Sequence, residues 1–337
     1  MRNNSMLGFL AIALLAIGCA VVACDNGMPQ TTVYNTVYTA GYYINNKGYV
    51  ACYWVNGEKT DLNIETSYSE AKLLAVSGGT VYIVGEYYDN GKHLICYWKD
   101  GVKTELSGVT DNSYAYAITI SRDSVYIAGC YDNGSETIAC YWKDGTRTDI
   151  SDGNYWCRSE AIAVLGESIC IAGTYFNGRN YIAYFWKDGV TTNLTAYASH
   201  ANAIAVSGDS VYIAGCDYSS GKPIACYWKD GVKTDLTLGE SYANAITISR
   251  GSVYILGYYY DGSKNIACYW KDGVKTDLTT GEFFANAITA SRGSVYIAGY
   301  YYNGSNKMAC YWNDGVITDL YNVRGISSAN DIIVVVK

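Results

Sequence analysis

The fourteen residues at positions 224–237, IACYWKDGVKTDLT, recur without a change at 266–279. They belong to a longer series. Tryptophans stand at 54, 98, 142, 186, 228, 270 and 312, each inside a Tyr-Trp or Phe-Trp step, spaced by 44 and then by 42 residues. Only Trp156 falls outside the series. A period of this length marks a supersecondary unit that buries its apolar face only by stacking on copies of itself. One unit is read over 242–278: the run YANAITIS, an Arg-Gly turn, SVYILGYY, the break YDGSK, NIACYW, the turn Lys-Asp-Gly, and VKTDL. Asp272-Gly273 between two strand patterns is a hairpin signal, because a type I′ turn needs positive φ at both central residues. Asp-Gly returns at 100–101, 144–145, 188–189, 230–231 and 314–315, and Asn56-Gly57 takes its place in the first unit. Four short antiparallel strands per period is the unit of a β-propeller blade.

The chain ends set the blade count. The chain enters the repeat at TVYTAGYY (37–44), which matches a second strand, and leaves at SSANDIIVVV (327–336), which matches a first strand. The C-terminal strand is therefore expected to complete the blade begun at the N-terminus, a 3+1 closure that removes exposed sheet edges. The fold class expected is all-β: a seven-bladed β-propeller with four antiparallel strands per blade. The competing arrangement is an open solenoid, whose terminal units need not complement each other. Composition agrees with strands and tight turns: half the residues are hydrophobic, with 35 Gly, 36 Tyr and only 2 Pro. A net charge of −7 and the lack of a basic run argue against a nucleic-acid partner.

Residues 1–23 read as an export signal: Arg2 precedes an apolar run from Met6 to Ala23. The stretch resembles a bacterial lipoprotein signal, with Val-Val-Ala before Cys24 and Asp25, Asn26 and Gly27 after it. That resemblance implies lipidation at Cys24, a tether over 24–36 and the propeller over 37–337. It implies a bacterial cell-envelope protein, anchored to a membrane through its N-terminal lipid, with the propeller in the periplasm or at the cell surface. Cys19, after Ala-Ile-Gly, is the poorer match.

The succession of ACYWKDGVKTDL, a Leu-Gly-Glu turn and SYANAITIS is similar to the bacterial extracellular repeats of the HAF family. The similarity covers nearly all of 37–336. It departs at the His-Ala-Phe signature, where this chain has Ile-Ala-Cys-Tyr. It implies a fold more than a function. The signatures of kelch and WD-repeat propellers are absent.

One tryptophan per unit reads as a core layer rather than a ligand site. The Lys-Asp-Gly carboxylates read as solvated turn residues, and the Thr-Asp-Leu aspartates (Asp235, Asp277, Asp319) as partners of nearby backbone. Of twelve cysteines, six share one repeat position: Cys52, Cys96, Cys140, Cys226, Cys268 and Cys310. Equivalent positions in different blades lie too far apart to bridge. Cys130–Cys140 and Cys216–Cys226, each within one hairpin, are the pairs open to disulfide formation, although a two-residue Asn-Gly turn at 133–134 would set Cys140 opposite Ile127 instead. Cys157 and Cys170 have no evident partner. No CxxC occurs, and the two histidines, His93 and His200, fall in different blades, so neither a metal site nor a cofactor is expected. His200 reads as a surface histidine, and no nucleophile–base pair is legible. The chain is read as no enzyme.

The remaining signal is aromatic. The second-to-third-strand loops and the blade-to-blade loops emerge on one face, where Tyr42, Tyr43, Tyr87, Tyr88, Tyr258, Tyr259, Tyr260, Phe283, Phe284, Tyr300, Tyr301 and Tyr302 cluster among Asn, Asp, Gly and Ser. Tyrosine gives a rigid contact area with one polar tip, a composition used for recognition. The alternative is that every second ring packs inward. Blade-to-blade loops at 62–74, 106–118, 150–162 and 320–332 are longer than the other three and adjacent on a closed ring, which directs attention to Trp156 and Arg158. The function expected is a monomeric, lipid-anchored binding module for a protein segment or a glycan. A structural or display role is the alternative, and a propeller hydrolase or lyase the more remote one.

Overall fold

The computed structural model describes residues 35–62, 66–153, 155–278, 283–320 and 326–336. These form seven four-stranded antiparallel sheets, and no helix occurs among them. Blade 6 is representative: Ser241–Ser249, Ser252–Tyr260, Asn265–Lys271 and Val274–Asp277 run from innermost to outermost. The innermost strands of blades 2, 3, 4, 5 and 7 are Ser69–Ser77, Ser113–Ser121, Cys157–Leu165, Ser199–Ser207 and Phe283–Ser291. Blade 1 is a composite. Its innermost strand, Ser327–Val336, pairs with Asn35–Asn45, so the two ends of the propeller are hydrogen-bonded side by side. Each innermost strand contacts those of the blades on both sides, which closes a ring of seven. The molecule is a seven-bladed β-propeller.

The turns behave as their residues require. Asp100-Gly101, Asp144-Gly145, Asp188-Gly189, Asp230-Gly231, Asp272-Gly273 and Asp314-Gly315 all have positive φ at both residues, as does Asn56-Gly57. The aspartates are not merely solvated. Asp272 Oδ1 accepts the backbone N–H of Val253 at 2.8 Å, pinning the third-to-fourth turn to the second strand, and the same bond recurs in every blade. An acceptor side chain that tolerates positive φ is needed here, which restricts the choice to Asp or Asn.

Each serial tryptophan packs against the blade before it. Trp270 lies with Ala214 and Ala225 of blade 5, Trp98 with Tyr38, Ala40 and Ala51 of blade 1, and Trp54 with Ala287, Tyr296 and Ala298 of blade 7. Five of the seven are at most 1% exposed, so they form the glue between blades. A glycine of the second strand supports each junction. A Cβ on Gly257 would stand 1.9 Å from the carbonyl oxygen of Tyr242 and 3.0 Å from the Trp270 ring.

The ten cysteines among the described residues are free thiols. In the observed register Cys130 faces Ala139 and Cys140 faces Gly129, so the two sulfur-bearing side chains lie one residue out of step, on opposite faces of the sheet. Cys216 opposite Ala225 repeats the arrangement with Cys226. The Cys130–Cys140 and Cys216–Cys226 pairings raised by the sequence are thus replaced by free, buried thiols, and Cys140 is not opposite Ile127. The loop tip places four residues, Asn133 to Glu136, outside the ladder rather than forming a two-residue turn.

Candidate functional site

Every innermost strand carries a β-bulge near its start, where two residues oppose one on the second strand. The extra residue is Asn330, Lys72, Tyr116, Glu160, Asn202, Asn244 and Asn286 in blades 1 to 7. A bulge re-aims one side chain away from the sheet faces, so each blade offers one polar group beside the loop face. The ring is unequal: one arc carries Lys72, Tyr116 and Glu160, the other four asparagines.

Three of those asparagines tie neighbouring blades together. Asn202, Asn286 and Asn330 each donate from Nδ2 to the carbonyl of an alanine in the next blade, Ala243, Ala329 and Ala71, at 2.7–2.9 Å. Asn244, placed to make the fourth bond to Ala285, makes none and is exposed.

Outside this ring runs a belt of aromatic rings in contact across blade boundaries. From blade 1 it passes through Tyr42–Tyr49 (5.3 Å between centroids), Tyr49–Tyr68 (5.0 Å), Tyr68–Tyr88 (5.1 Å), Tyr88–His93 (5.3 Å) and His93–Tyr114 (5.4 Å). Arg158 then lies over both Tyr116 and Trp156, 5.5 and 4.7 Å from the ring centres. Trp156 meets Tyr181, which stacks on His200, which meets Tyr218. Tyr218 hydrogen-bonds Tyr242, and Tyr242 stacks on Tyr258 at 4.8 Å. In blade 7 Phe284 and Tyr300 stack at 4.8 Å with 9° between planes, and Tyr302 meets both edge-on. Lys307 Nζ, 3.7 Å from the Tyr300 ring centre and 3.0 Å from the Tyr42 hydroxyl, returns the belt to blade 1. Tyr88, Tyr114, Tyr181, Tyr260, Phe284 and Tyr302 remain 40–45% exposed.

Charge is concentrated in blade 2. Lys72 bridges Glu70 (2.9 Å) and Glu86 (3.2 Å), His93 Nε2 lies 3.2 Å from Glu86, and the Tyr68 hydroxyl donates to both carboxylates. Burial pushes the Glu86 carboxyl up, but His93 and Lys72 outweigh it and hold it down to about 2. Burial raises the Glu160 carboxyl, with Arg158 opposing. Burial also lowers His200 and Lys307, the latter against the pull of Glu70. Asp331, on the closing strand, accepts the N–H of Leu74 in blade 2 at 2.7 Å, and burial pushes its carboxyl up to about 7. No group of three or more His, Cys, Asp or Glu side chains able to hold a metal ion occurs among the described residues.

The structure divides the aromatic candidates into two sets. Tyr43, Tyr259 and Tyr301 donate their hydroxyls to Asp61, Asp277 and Asp319 of the outer strand at 3.0–3.1 Å, and Tyr87 reaches Glu105 at 3.4 Å. Lys275 lies 3.3 Å from the Tyr259 ring centre and 3.3 Å from Asp277, closing a Tyr–Asp–Lys cluster on the outer edge of the blade. Of the Thr-Asp-Leu aspartates, Asp277 and Asp319 thus bond tyrosine hydroxyls and Asp235 pairs with Lys233 at 3.1 Å, not with the neighbouring backbone that the sequence suggested. These tyrosines secure blades. Phe283 is also buried. Tyr42, Tyr88, Trp156, Arg158, Tyr258, Phe284, Tyr300 and Tyr302 enter the belt, while Tyr260 is exposed at the second-to-third loop. The sequence reading did not anticipate Tyr49, Tyr68, His93, Tyr114, Tyr116, Tyr181, Tyr218, Tyr242 and Lys307, and His200 is a half-buried member of the belt rather than a bare surface histidine. For Tyr114, Tyr242 and His200 the signal is the second residue of the innermost strand, which is aromatic or His in blades 3, 5, 6 and 7. Cys24 lies outside the described residues, as do parts of the long loops.

No protein-family profile matches the chain, and no curated protein resembles it in sequence. Solved structures share its architecture. The acylaminoacyl peptidase of Pyrococcus horikoshii superposes with a TM-score of 0.55 at 13% identity, over 86% of this chain and 51% of that one, so the match spans about half of the peptidase. A protein described as TolB from Agrobacterium tumefaciens gives 0.46 at 12% identity over 91% and 98% of the two chains. TolB from Acinetobacter baumannii gives 0.49 at 12% identity over 88% and 66%. The likeness is one of fold.

Proposed function

We propose that this chain is a lipid-anchored propeller of the bacterial cell envelope, held to a membrane at Cys24, that binds a protein segment or a glycan on its loop face and catalyses no reaction. The observation that carries the binding role is the belt of rings running from blade to blade. Aromatic residues needed only for the core would be buried in the blade junctions, as the seven tryptophans are. Tyr88, Tyr114, Tyr181, Phe284 and Tyr302 instead rest on neighbouring rings at the surface with about two-fifths of their area open, rigid and already desolvated on one side, which lowers the ordering cost of binding. The lipid anchor rests on the sequence before Cys24, and several acyl chains there would suffice for stable attachment.

The test uses the full-length chain in detergent micelles against a glycan array and a random dodecapeptide display library. Ligands are expected whose binding is lost in the triple variant Tyr88→Ala, Tyr181→Ala, Phe284→Ala while its far-ultraviolet circular dichroism stays unchanged. The absence of any ligand from both libraries, or ligands indifferent to the triple variant, refutes the reading. Labelling with a radioactive fatty acid that persists in Cys24→Ser would separately refute the anchor.

A further inference from the structure

Two junctions of the ring, those before blades 3 and 7, lack the serine tie that the other five have; at the first, Ser113 accepts the N–H of Thr110 in its own connection, and at the second the serine itself is replaced. In blades 2, 5, 6 and 1 the innermost strand starts with a serine whose hydroxyl accepts a backbone N–H from the preceding blade: Ala51 to Ser69, Ala183 to Ser199, Ala225 to Ser241 and Ala309 to Ser327, at 2.9–3.0 Å. At blade 4 the hydroxyl of Ser151 takes the N–H of Ala139 in the same way. Blade 7 has Phe283 at the start of its innermost strand. A phenyl ring cannot accept the bond, and it occupies the space that the serine leaves to the neighbouring strand. At the same junction Asn244 fails to make the amide-to-alanine bond seen at three other junctions. Two of the inter-blade ties are therefore missing together, between blades 6 and 7, and a cleft of about 710 Å³ lies there. That volume is in the range of small-ligand sites.

The lining defines the ligand. One wall is the Tyr258 ring, backed by Tyr242; the other is the stacked pair Phe284 and Tyr300. Between them lie the amides of Asn244, Asn265 and Asn286, all exposed. Asn286 donates one of its two amide N–H groups to Ala329 and keeps the other and its oxygen, whereas Asn244 has its whole amide to give. Of the two charged side chains at the cleft, Asp277 is already held by Lys275 and Tyr259, and Lys264 is exposed. Flat ring faces match the C–H faces of a pyranose, and amides match its hydroxyls in both hydrogen-bonding senses. A peptide would need either an unpaired strand edge or apolar pockets for alternate side chains; the cleft presents ring faces and amides. We infer that the cleft between blades 6 and 7 is a binding site for a neutral oligosaccharide, with Tyr258 and Phe284 as stacking platforms and Asn244 as the central hydrogen-bonding group. This rests on the binding role of the loop face and narrows it to one ligand class and one place.

Titration calorimetry of the full-length chain in detergent with cellohexaose, xylohexaose, mannohexaose, chitohexaose and maltohexaose tests it. At least one is expected to bind. Phe284→Ala or Tyr258→Ala should weaken that binding tenfold or more, and Asn244→Ala should weaken it severalfold. Tyr197→Ala, an exposed ring before blade 5 that takes no part in the belt, should leave it within twofold. Asn244 is exposed and makes no bond in the fold, so its variant keeps the reading testable if a platform variant fails to fold. Binding by none of the five, or losses equal in Tyr197→Ala and Phe284→Ala, overturns the inference. Peptide ligands lost in Tyr88→Ala and not in Phe284→Ala would overturn it too while leaving the broader binding role intact.

Discussion

Asp331 gives the sharpest energetic test of how the ring is sealed. It stands on the closing strand where blades 3 to 7 have alanine, and its two carboxyl oxygens accept the N–H groups of Leu74 and Ile332 at 2.7 and 2.8 Å. Burial raises it from an ordinary carboxyl to about 7. A raised folded value means that the native state binds a proton more tightly than the unfolded chain. The associated stability is complete below pH 3.8 and is lost as pH climbs through about 7. Three pH units correspond to an upper limit of about 4 kcal/mol. The residue as a whole retains some exposure, and two N–H donors favour the charged form, so about 2 kcal/mol is the expected share. The substitution Asp331→Asn keeps the shape of the side chain without its charge. The variant should match the wild type at pH 4 and exceed it by about 2 kcal/mol at pH 8, a shift of about 0.7 M in the urea midpoint for a slope of about 3 kcal/mol/M. Comparing variant with wild type at each pH cancels the other titrating groups: Glu160 gives a slope of the same sign and His200 one of opposite sign. Fluorescence of the buried tryptophans reports the unfolding. A midpoint difference that is the same at pH 4 and pH 8 would show that Asp331 is charged throughout, and the account of the seam would fail.

Trp270→Ala should cost about 3–5 kcal/mol, because it empties the junction between blades 5 and 6; a melting temperature unchanged within a degree or two would contradict the role of the serial tryptophans. Gly257→Ala should cost about 3 kcal/mol by forcing the second strand off the Tyr242 carbonyl, read as a lowered urea midpoint. Tyr259→Phe, in contrast, removes one hydrogen bond at an exposed outer edge and should cost less than about 1 kcal/mol in the same assay. Burial pushes the Cys130 and Cys216 thiols up to about 11 and Cys268 up to about 12, so iodoacetamide at pH 8 should modify none of the ten propeller cysteines in the native protein. Unfolding in urea without reductant should make all ten reactive, and mass spectrometry showing a pair lost to a bridge would refute the register of the hairpins.

The repeat, the turns and the closure were legible in the sequence because each is a local or periodic property. Asp-Gly specifies positive φ wherever it stands, a tryptophan every 42 or 44 residues marks one junction per unit, and a lone second strand at one end with a lone first strand at the other has a single economical solution in a ring. The candidate site was legible only in part. Tyr258 and Tyr259 are neighbours of the same type, yet one stacks on Tyr242 while the other is tied to Asp277. Strand pleating sends them to opposite faces, and only the register says which face is which. The same one-residue question separated Cys130 from Cys140.

What the chain alone determined is thus the blade, its count and its turns, since these follow from residue type and spacing. What tertiary structure alone decided is the belt and the cleft. His93 meets Tyr114, and Lys307 meets Tyr42, only because the ring brings separate blades together. Phe283 opens a junction only because serines elsewhere close theirs. Contacts between blades depend on where distant strands lie in space, and no periodicity within one strand carries that information.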